Sequence, residues 1–363
     1  MSEAPQPQQF PCRQCGADLQ WNPGSQLLTC PYCGFANQIE IPPATIEELD
    51  FKTWLQKMER ESPQIQVKQV RCEPCGAQVE FQNQATASTC PFCGSPLVGQ
   101  TLSSSHLKPQ AVLPFRITQD QAMSGFEKWL KGLWFAPSML KHQKDRDRLK
   151  GIYTPYWTFD SQTFTQYEGQ RGDDYWETET YTTHVNGKAE VRSRQVRKTR
   201  WRHVSGHVQV PFDDVLVMAS ESLPRKYTQA LEPWDLGDLA PYDDRFLSGF
   251  LAEGYQVPLG QGFQLAQDRM APIIDQHICR QIGGDHQRIL WKSTQHSKVT
   301  FKHILLPVWL SAYRFKDRVF RFMVNARTGA VSGERPYSAI KIACAVLLGI
   351  GAIALFFYIR SRM

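Results

Sequence analysis

Cys12–Gly34 reads CRQCGADLQWNPGSQLLTCPYCG, and Cys72–Gly94 reads CEPCGAQVEFQNQATASTCPFCG. The two stretches align without a gap, Cys12 on Cys72 through to Gly34 on Gly94, so the chain carries an internal duplication. Each copy runs CxxCGA, an aromatic at the sixth position after the second cysteine (Trp21, Phe81), then TCPxCG, and the spacers between the CxxC pairs (16–29 and 76–89) are equal in length. Two CxxC turns joined by a hairpin bring four soft thiolates to one point, the ligand set of a structural zinc ribbon. The expected ligands are Cys12, Cys15, Cys30 and Cys33 in the first copy and Cys72, Cys75, Cys90 and Cys93 in the second, giving two structural Zn2+ ions. The glycine after each second cysteine (Gly16, Gly34, Gly76, Gly94) permits the bend that turns amide N–H groups toward sulfur. Iron is the competing metal, because the CPxCG knuckle also serves rubredoxin-type sites. A closed four-thiolate shell has no position for water, which argues against hydrolytic zinc chemistry. A ribbon of about 25 residues buries little apolar surface, so metal binding of order 10 to 16 kcal/mol is expected to supply most of its stability.

Beyond Gly94 the chain holds only Cys279 and Cys344, which is the arithmetic of metal ligands and not of a disulfide framework. The N-terminal MSEAPQPQQF has neither a basic n-region nor an apolar h-region, so the ribbons are expected in a reducing, cytoplasmic compartment. At the other end IACAVLLGIGAIALFFYI (Ile342–Ile359) contains no charged residue. As a helix it is about 27 Å long, close to a hydrocarbon core of about 30 Å, and Lys341 and Arg360 bracket it. A single membrane-spanning helix is expected there.

The fold class expected is α+β: two tandem four-cysteine ribbons, a strand-rich α+β middle domain and one C-terminal transmembrane helix. The divisions fall at 1–40 (ribbon 1), 41–63 (linker helix), 64–100 (ribbon 2), 101–336 (soluble domain) and 340–360 (membrane helix). In the linker, Thr45-Ile-Glu-Glu48 reads as a capping box for a helix that runs through Arg60. A second helix is predicted from about Asp120 to the stop at Pro137, and a mostly helical stretch from Tyr227 to Ile282. Val185-Asn186-Gly187-Lys188 predicts a two-residue hairpin turn between long alternating strands, and strands return at LLPVWLSAYRF (305–315). Pro155-Tyr156-Trp157 and Pro307-Val308-Trp309 echo one another, implying two related β-units.

The net charge of +6 is unevenly spread. Residues 1–107 carry six Lys/Arg against ten Asp/Glu, a net of −4, which leaves +10 for the rest. Lys188–Arg202 holds seven basic residues, and in a strand Arg192, Arg194, Lys198, Arg200 and Arg202 share one face, a candidate contact for an anionic surface. The hairpin register instead sets Glu179 against Arg194 and Asp173 against Arg200, which neutralises much of that face. His203 and His207 have no acidic or cysteine companions in sequence and read as strand-surface residues. The sequence holds no Walker A loop, dinucleotide-binding glycine fingerprint, nucleophile elbow or catalytic Cys/His signature, so no enzyme is expected.

The paired ribbons, YTPYWTFD (153–160), VNARTGAVSGERP (324–336) and the apolar tail together resemble bacterial tail-anchored double zinc-ribbon proteins. That resemblance implies an adaptor that recruits cytoplasmic partners to the membrane, with phage-shock-protein-A-like and SPFH-type membrane-stress proteins as the partner class. Such ribbons also resemble those of transcription factor IIB and the primosomal helicase, but a helicase needs motor motifs that this chain lacks. The expectation is a non-enzymatic membrane scaffold working through protein–protein interaction. A membrane-anchored nucleic-acid binder is the alternative, and the acidic ribbon region disfavours it.

Overall fold

The computed structural model describes residues 10–37, 46–60, 65–73, 75, 77–80, 88–97, 101–135, 149–185, 188–315, 318–335 and 337–362. In chain order its main elements are helix α1 (Phe51–Arg60), strand β1 (Ala111–Val112), helix α2 (Gln119–Lys131), the hairpin β2 (Lys150–Val185) and β3 (Lys188–Met218), strand β4 (Leu251–Glu253), helix α3 (Leu259–Ile282), the hairpin β5 (His286–Phe315) and β6 (Arg318–Asn325), and the terminal helix α4 (Ala339–Arg362). The expected α+β architecture, with two cysteine clusters ahead of a strand-rich body and one apolar helix at the end, is what the chain forms.

One mixed sheet organises the body. Its path is Ala240–Pro241, β1, β5, β2, β4, Gln78–Glu80, Ile65–Arg71 and Thr101–His106, with β3 on β2 and β6 on β5. The antiparallel pair β2–β5 has an internal two-fold relation centred on Thr154↔Leu306, flanked by Ile152↔Val308 and Tyr156↔Ile304. Parallel to it, β4 lies on β2 through Leu251↔Ile152, and β1 lies on β5 through Ala111↔Ile304. The same exchange relates individual hydrogen bonds. Trp157 Nε1 donates to the Val257 carbonyl at 3.0 Å and Trp309 Nε1 to the Ile117 carbonyl at 2.8 Å. Ala219 N–H reaches the Pro155 carbonyl at 2.9 Å, and Ala326 N–H reaches the Pro307 carbonyl at 3.1 Å. Each Pro-x-Trp segment thus makes the same contacts in its own half.

Strand alternation sends side chains to two faces. Ile152, Tyr156, Ile304, Leu306 and Val308 enter a core that includes Val79, Phe92 and the buried cysteines of the second ribbon. Tyr153, Leu305 and Trp309 join a core shared with α2 and the first ribbon, while Trp157, Phe159 and Phe301 pack under α3. α3 lies close to the sheet because Gly262 faces Trp157, whose Cδ1 would stand 2.7 Å from an added Cβ. β5 begins at the pairing Gly172↔His286, and beyond it the β2–β3 hairpin continues as a two-stranded ribbon to Val185↔Lys188.

Some sequence expectations meet a different structure. α1 begins at Phe51, not at Thr45: Leu49–Asp50 forms a short strand on Thr300 and Phe301, and Asp50 caps the helix by accepting from the Thr53 N–H at 2.8 Å. Glu48, the far half of the expected capping box, accepts from Lys302 at 3.0 Å; Thr45, its other half, lies outside the described residues. β5 starts at His286, well before Leu305; its first half is mostly polar in sequence, although one face lies against α3, with Val299 buried, Ile289 packed on that core and His296 against the Phe263 ring. Asp173 stands opposite Arg200 in register, yet it pairs with Arg202 (2.9 Å) and Arg171 (2.8 Å), while Arg200 lies 5.0 Å over the Tyr175 ring. Strand twist brings such diagonal neighbours within reach of long side chains. α2 is capped by Thr118 and Gln121 in a full capping box, one residue ahead of the predicted start; Pro137, the predicted stop, lies outside the described residues.

Lys302, nearly buried, gathers Glu48 (3.0 Å) and Asp214 (2.8 Å), and Thr300 donates to Asp160 at 2.9 Å beside them. Burial raises Asp160 to about 6, helped by the Glu48 carboxylate, whereas the Lys302 bond holds Glu48 below its ordinary range. A raised carboxyl favours the fold at low pH, and that contribution is lost as pH climbs through the folded value. Asp160→Asn is therefore expected to raise the melting temperature at about pH 7.5, with the gain shrinking toward about pH 5. Thermal melts of both forms check this; a variant no more stable than wild type at the higher pH would contradict it.

Candidate metal centres

Each CxxC turn is a tight loop closed by its own backbone. Cys12 N–H donates to the Ala17 carbonyl (2.7 Å), Cys30 to Phe35 (2.8 Å), Cys72 to Ala77 (2.8 Å) and Cys90 to Ser95 (2.7 Å). Gly16, Gly34 and Gly94 sit at φ of +75°, +74° and +71°, the left-handed region that the turn requires and that glycine enters without strain; Gly76 lies outside the described residues. Amides freed by these bends face sulfur, as with Gln14 N–H to Cys12 Sγ at 3.4 Å. In ribbon 1, Gln20–Asn22 pairs with Leu27–Thr29 and joins the two knuckles.

The eight thiols gather into two tetrads, Cys12/Cys15/Cys30/Cys33 and Cys72/Cys75/Cys90/Cys93, with all four sulfurs in each within 4.8 Å of one another. The closest contacts are Cys15–Cys30 at 3.4 Å and Cys12–Cys33 at 3.6 Å in the first, and Cys72–Cys93 at 3.5 Å and Cys75–Cys90 at 3.6 Å in the second. A tetrahedral Zn–S shell at about 2.3 Å spaces its sulfurs about 3.8 Å apart, so both tetrads fit zinc with small adjustment. Backbone donors, Cys33 N–H foremost, pull Cys30 down to about 6, and the Cys90 thiol beside Cys75 pulls it down to about 5. Each tetrad thus holds a ready thiolate, and a bound dication favours ionisation of the rest.

The ribbons are built into the body, not strung beside it. Trp21 donates through its backbone to the Ser248 carbonyl (3.0 Å) and through Nε1 to the Phe115 carbonyl (3.2 Å), with its ring edge-on to Phe246. In ribbon 2, Val79 and Glu80 pair with Glu253 and Ala252 of β4. Phe92, fully buried between its cysteines, offers its carbonyl to Arg321 Nε at 2.6 Å. Phe81, the counterpart of Trp21, lies outside the described residues. Exposure also differs: Cys15 and Cys33 of the first tetrad are exposed, whereas the second has Cys75 half-buried and the other three buried. A chelator reaches a thiolate site through its open side, so metal release should be biphasic, with ribbon 1 emptying first. Zinc release to a chromophoric chelator, followed in wild type and in a variant with ribbon 1 disabled by Cys12→Ser, tests the order; loss of the slow phase in that variant would reverse the assignment.

The five basic residues singled out on β3 lie on the exposed hairpin. Arg192 pairs with Glu190 (3.1 Å), Arg194 with Glu179 (3.3 Å), and Lys198 with Glu177 (2.6 Å) and Glu179 (2.9 Å), alongside the Arg202–Asp173 and Arg200–Tyr175 contacts described above. His203 stands 3.8 Å from Glu168, and His207 stacks on Phe164. Among the described residues neither histidine joins a group of three or more metal-capable side chains. Sequence reasoning missed the Lys302 cluster, whose members come from positions 48, 160, 214 and 302 with no local signal. α4 holds a segment, Lys341–Ser361, long and apolar enough to cross a membrane, and none of that segment is buried in the body.

The chain is 26% identical over 338 residues to the uncharacterized protein YdjG of Bacillus subtilis (strain 168), an alignment that covers 92% of each chain. That extent reaches far beyond the ribbons, so the likeness is to the architecture as a whole. No family model matches the chain, and no solved structure does.

Proposed function

We propose that the chain is a non-enzymatic zinc-ribbon adaptor, held in the cell membrane by α4 with its bulk in the cytoplasm, that recruits protein partners through the ribbons. The observation that supports this most is the outward side of ribbon 1, where Tyr32, between Cys30 and Cys33, is 84% exposed on a knuckle that metal makes rigid. An aromatic held on a stiff turn loses little entropy on binding and serves well as a protein-contact anchor. The net charge of −4 over residues 1–107 suits a protein partner better than a phosphate backbone. Partners of the phage-shock-protein-A-like or SPFH type follow from the resemblance given above. The nucleic-acid alternative would have to use β3, whose five singled-out cations are engaged by carboxylates or an aromatic ring.

The test is affinity purification of the full-length protein from detergent-solubilised membranes, read by mass spectrometry, beside a Tyr32→Ser variant that retains both metals. The adaptor reading expects partners that the variant loses. Capture indifferent to Tyr32, or capture abolished by nuclease, would overturn it.

A further inference from the structure

The end of α2 and the start of α4 meet. The Phe135 carbonyl accepts from the Ser338 N–H at 2.8 Å, and Ser338 in turn begins α4, its own carbonyl accepting from the Ile342 N–H at 3.1 Å. Leu133 is buried and fixes this loop to the body, so the next two side chains point outward: Trp134 is 83% exposed and Phe135 41%. Beside the helix start Tyr337 is 58% exposed, with the Arg335 guanidinium 5.2 Å over its ring. Three large aromatics left open to water are unfavourable in isolation, but rings with an apolar body and a polar edge, as Trp134 and Tyr337 have, are at home in the headgroup layer of a bilayer, and Phe135 adds apolar area beside them. Cations stand with them: Lys128 and Lys131 in the last turn of α2, Arg335, and Lys341 at the first residue of the apolar segment.

The vertical placement agrees. Ser338 precedes Lys341 by three residues, about 4.5 Å along a helix axis, and the polar layer on each side of the hydrocarbon is about 5 to 7 Å thick. We propose that Trp134, Phe135 and Tyr337 form a shelf that rests in the headgroup layer of the bilayer crossed by α4, docking the α2 end of the body onto the lipid surface. The proposal rests on the reading of α4 as the membrane span and adds that the body lies against the membrane through one fixed edge and does not swing freely on a tether.

The test exploits composition: the chain has ten tryptophans and none lies in α4. Full-length protein is reconstituted into phosphatidylcholine vesicles brominated near the headgroup end of the acyl chains, recovered by flotation, and its tryptophan emission compared with that in unbrominated vesicles. The expected result is quenching of roughly one part in ten of the emission, from an interfacial tryptophan, and its disappearance in Trp134→Phe, a change at an exposed site that leaves the fold intact. Protein that floats but shows no quenching, or the same quenching in the variant, overturns the shelf while leaving the anchor standing and would hand the patch to a second copy or another protein. Protein that fails to float removes the anchor, and the shelf falls with it.

Discussion

Cys72→Ser is expected to lower the stability of the folded body by at least about 5 kcal/mol, well beyond the loss of one small module. The second ribbon is not a free-standing bead: its Gln78–Glu80 strand continues the central sheet through β4, and Phe92 fills the core beneath it. Opening the tetrad withdraws metal binding of order 10 to 16 kcal/mol from the folded state and lets Phe92 leave a site worth about 3 to 5 kcal/mol by itself. Cys12→Ser is expected to do less. Ribbon 1 packs Leu19, Trp21 and Leu28 against the body, but its strands form a sheet of their own and do not continue the central one, and the second tetrad should keep its ion. Denaturant unfolding with zinc analysis of each variant gives the comparison: about one ion per chain in Cys12→Ser, and a markedly lower midpoint in Cys72→Ser. Equal midpoints for the two would show that ribbon 2 contributes no more to the body than ribbon 1 does.

Removing the chain from Ala339 onward is expected to move the protein from the membrane fraction to the soluble one. The segment Ile342–Ile359 contains ten Leu, Ile, Phe or Val residues, and at about 0.3 to 0.6 kcal/mol each for insertion they contribute about 3 to 6 kcal/mol. Among the described residues none of the segment is buried, so their exposure to water is uncompensated. Carbonate extraction of the full-length protein checks the mode of attachment: resistance is the expected outcome, and release would replace a spanning helix with a surface-bound one.

What the sequence made legible was whatever chemistry or turn geometry fixes at short range. Four cysteines at matched spacing specify a knuckle whatever surrounds them, and the register read from the Asn186-Gly187 turn, which itself lies outside the described residues, is the one in which β2 and β3 pair, Glu179 opposite Arg194. What stayed hidden depends on distant partners. β1 and β4 are strands of two and three residues that exist only because β5 and β2 offer them an edge. The start of α1 was misread because Glu48, plausible as the far half of a capping box, has a stronger partner in Lys302, far along the chain. The first half of β5 carries polar residues on both faces and gives no apolar rhythm to read. Trp134 and Phe135 fall within the helix predicted up to Pro137, and only the buried Leu133 beside them shows that the chain turns them outward.

Beyond Gly172, about 40 Å of the β2–β3 hairpin at roughly 3.3 Å per residue pairs with no third strand among the described residues. Its cohesion comes from cross-strand pairs such as Glu179 with Arg194 and Lys198, each worth about 0.2 to 1 kcal/mol, while the zinc tetrads and the sheet core act elsewhere. Backbone amides along it should therefore exchange with solvent deuterium in a gradient, fastest near Val185 and slowing toward Gly172. That gradient should steepen in high salt and stay unchanged when metal is stripped from ribbon 1, because the fraying of this arm is thermodynamically separate from the melting of the body that carries it.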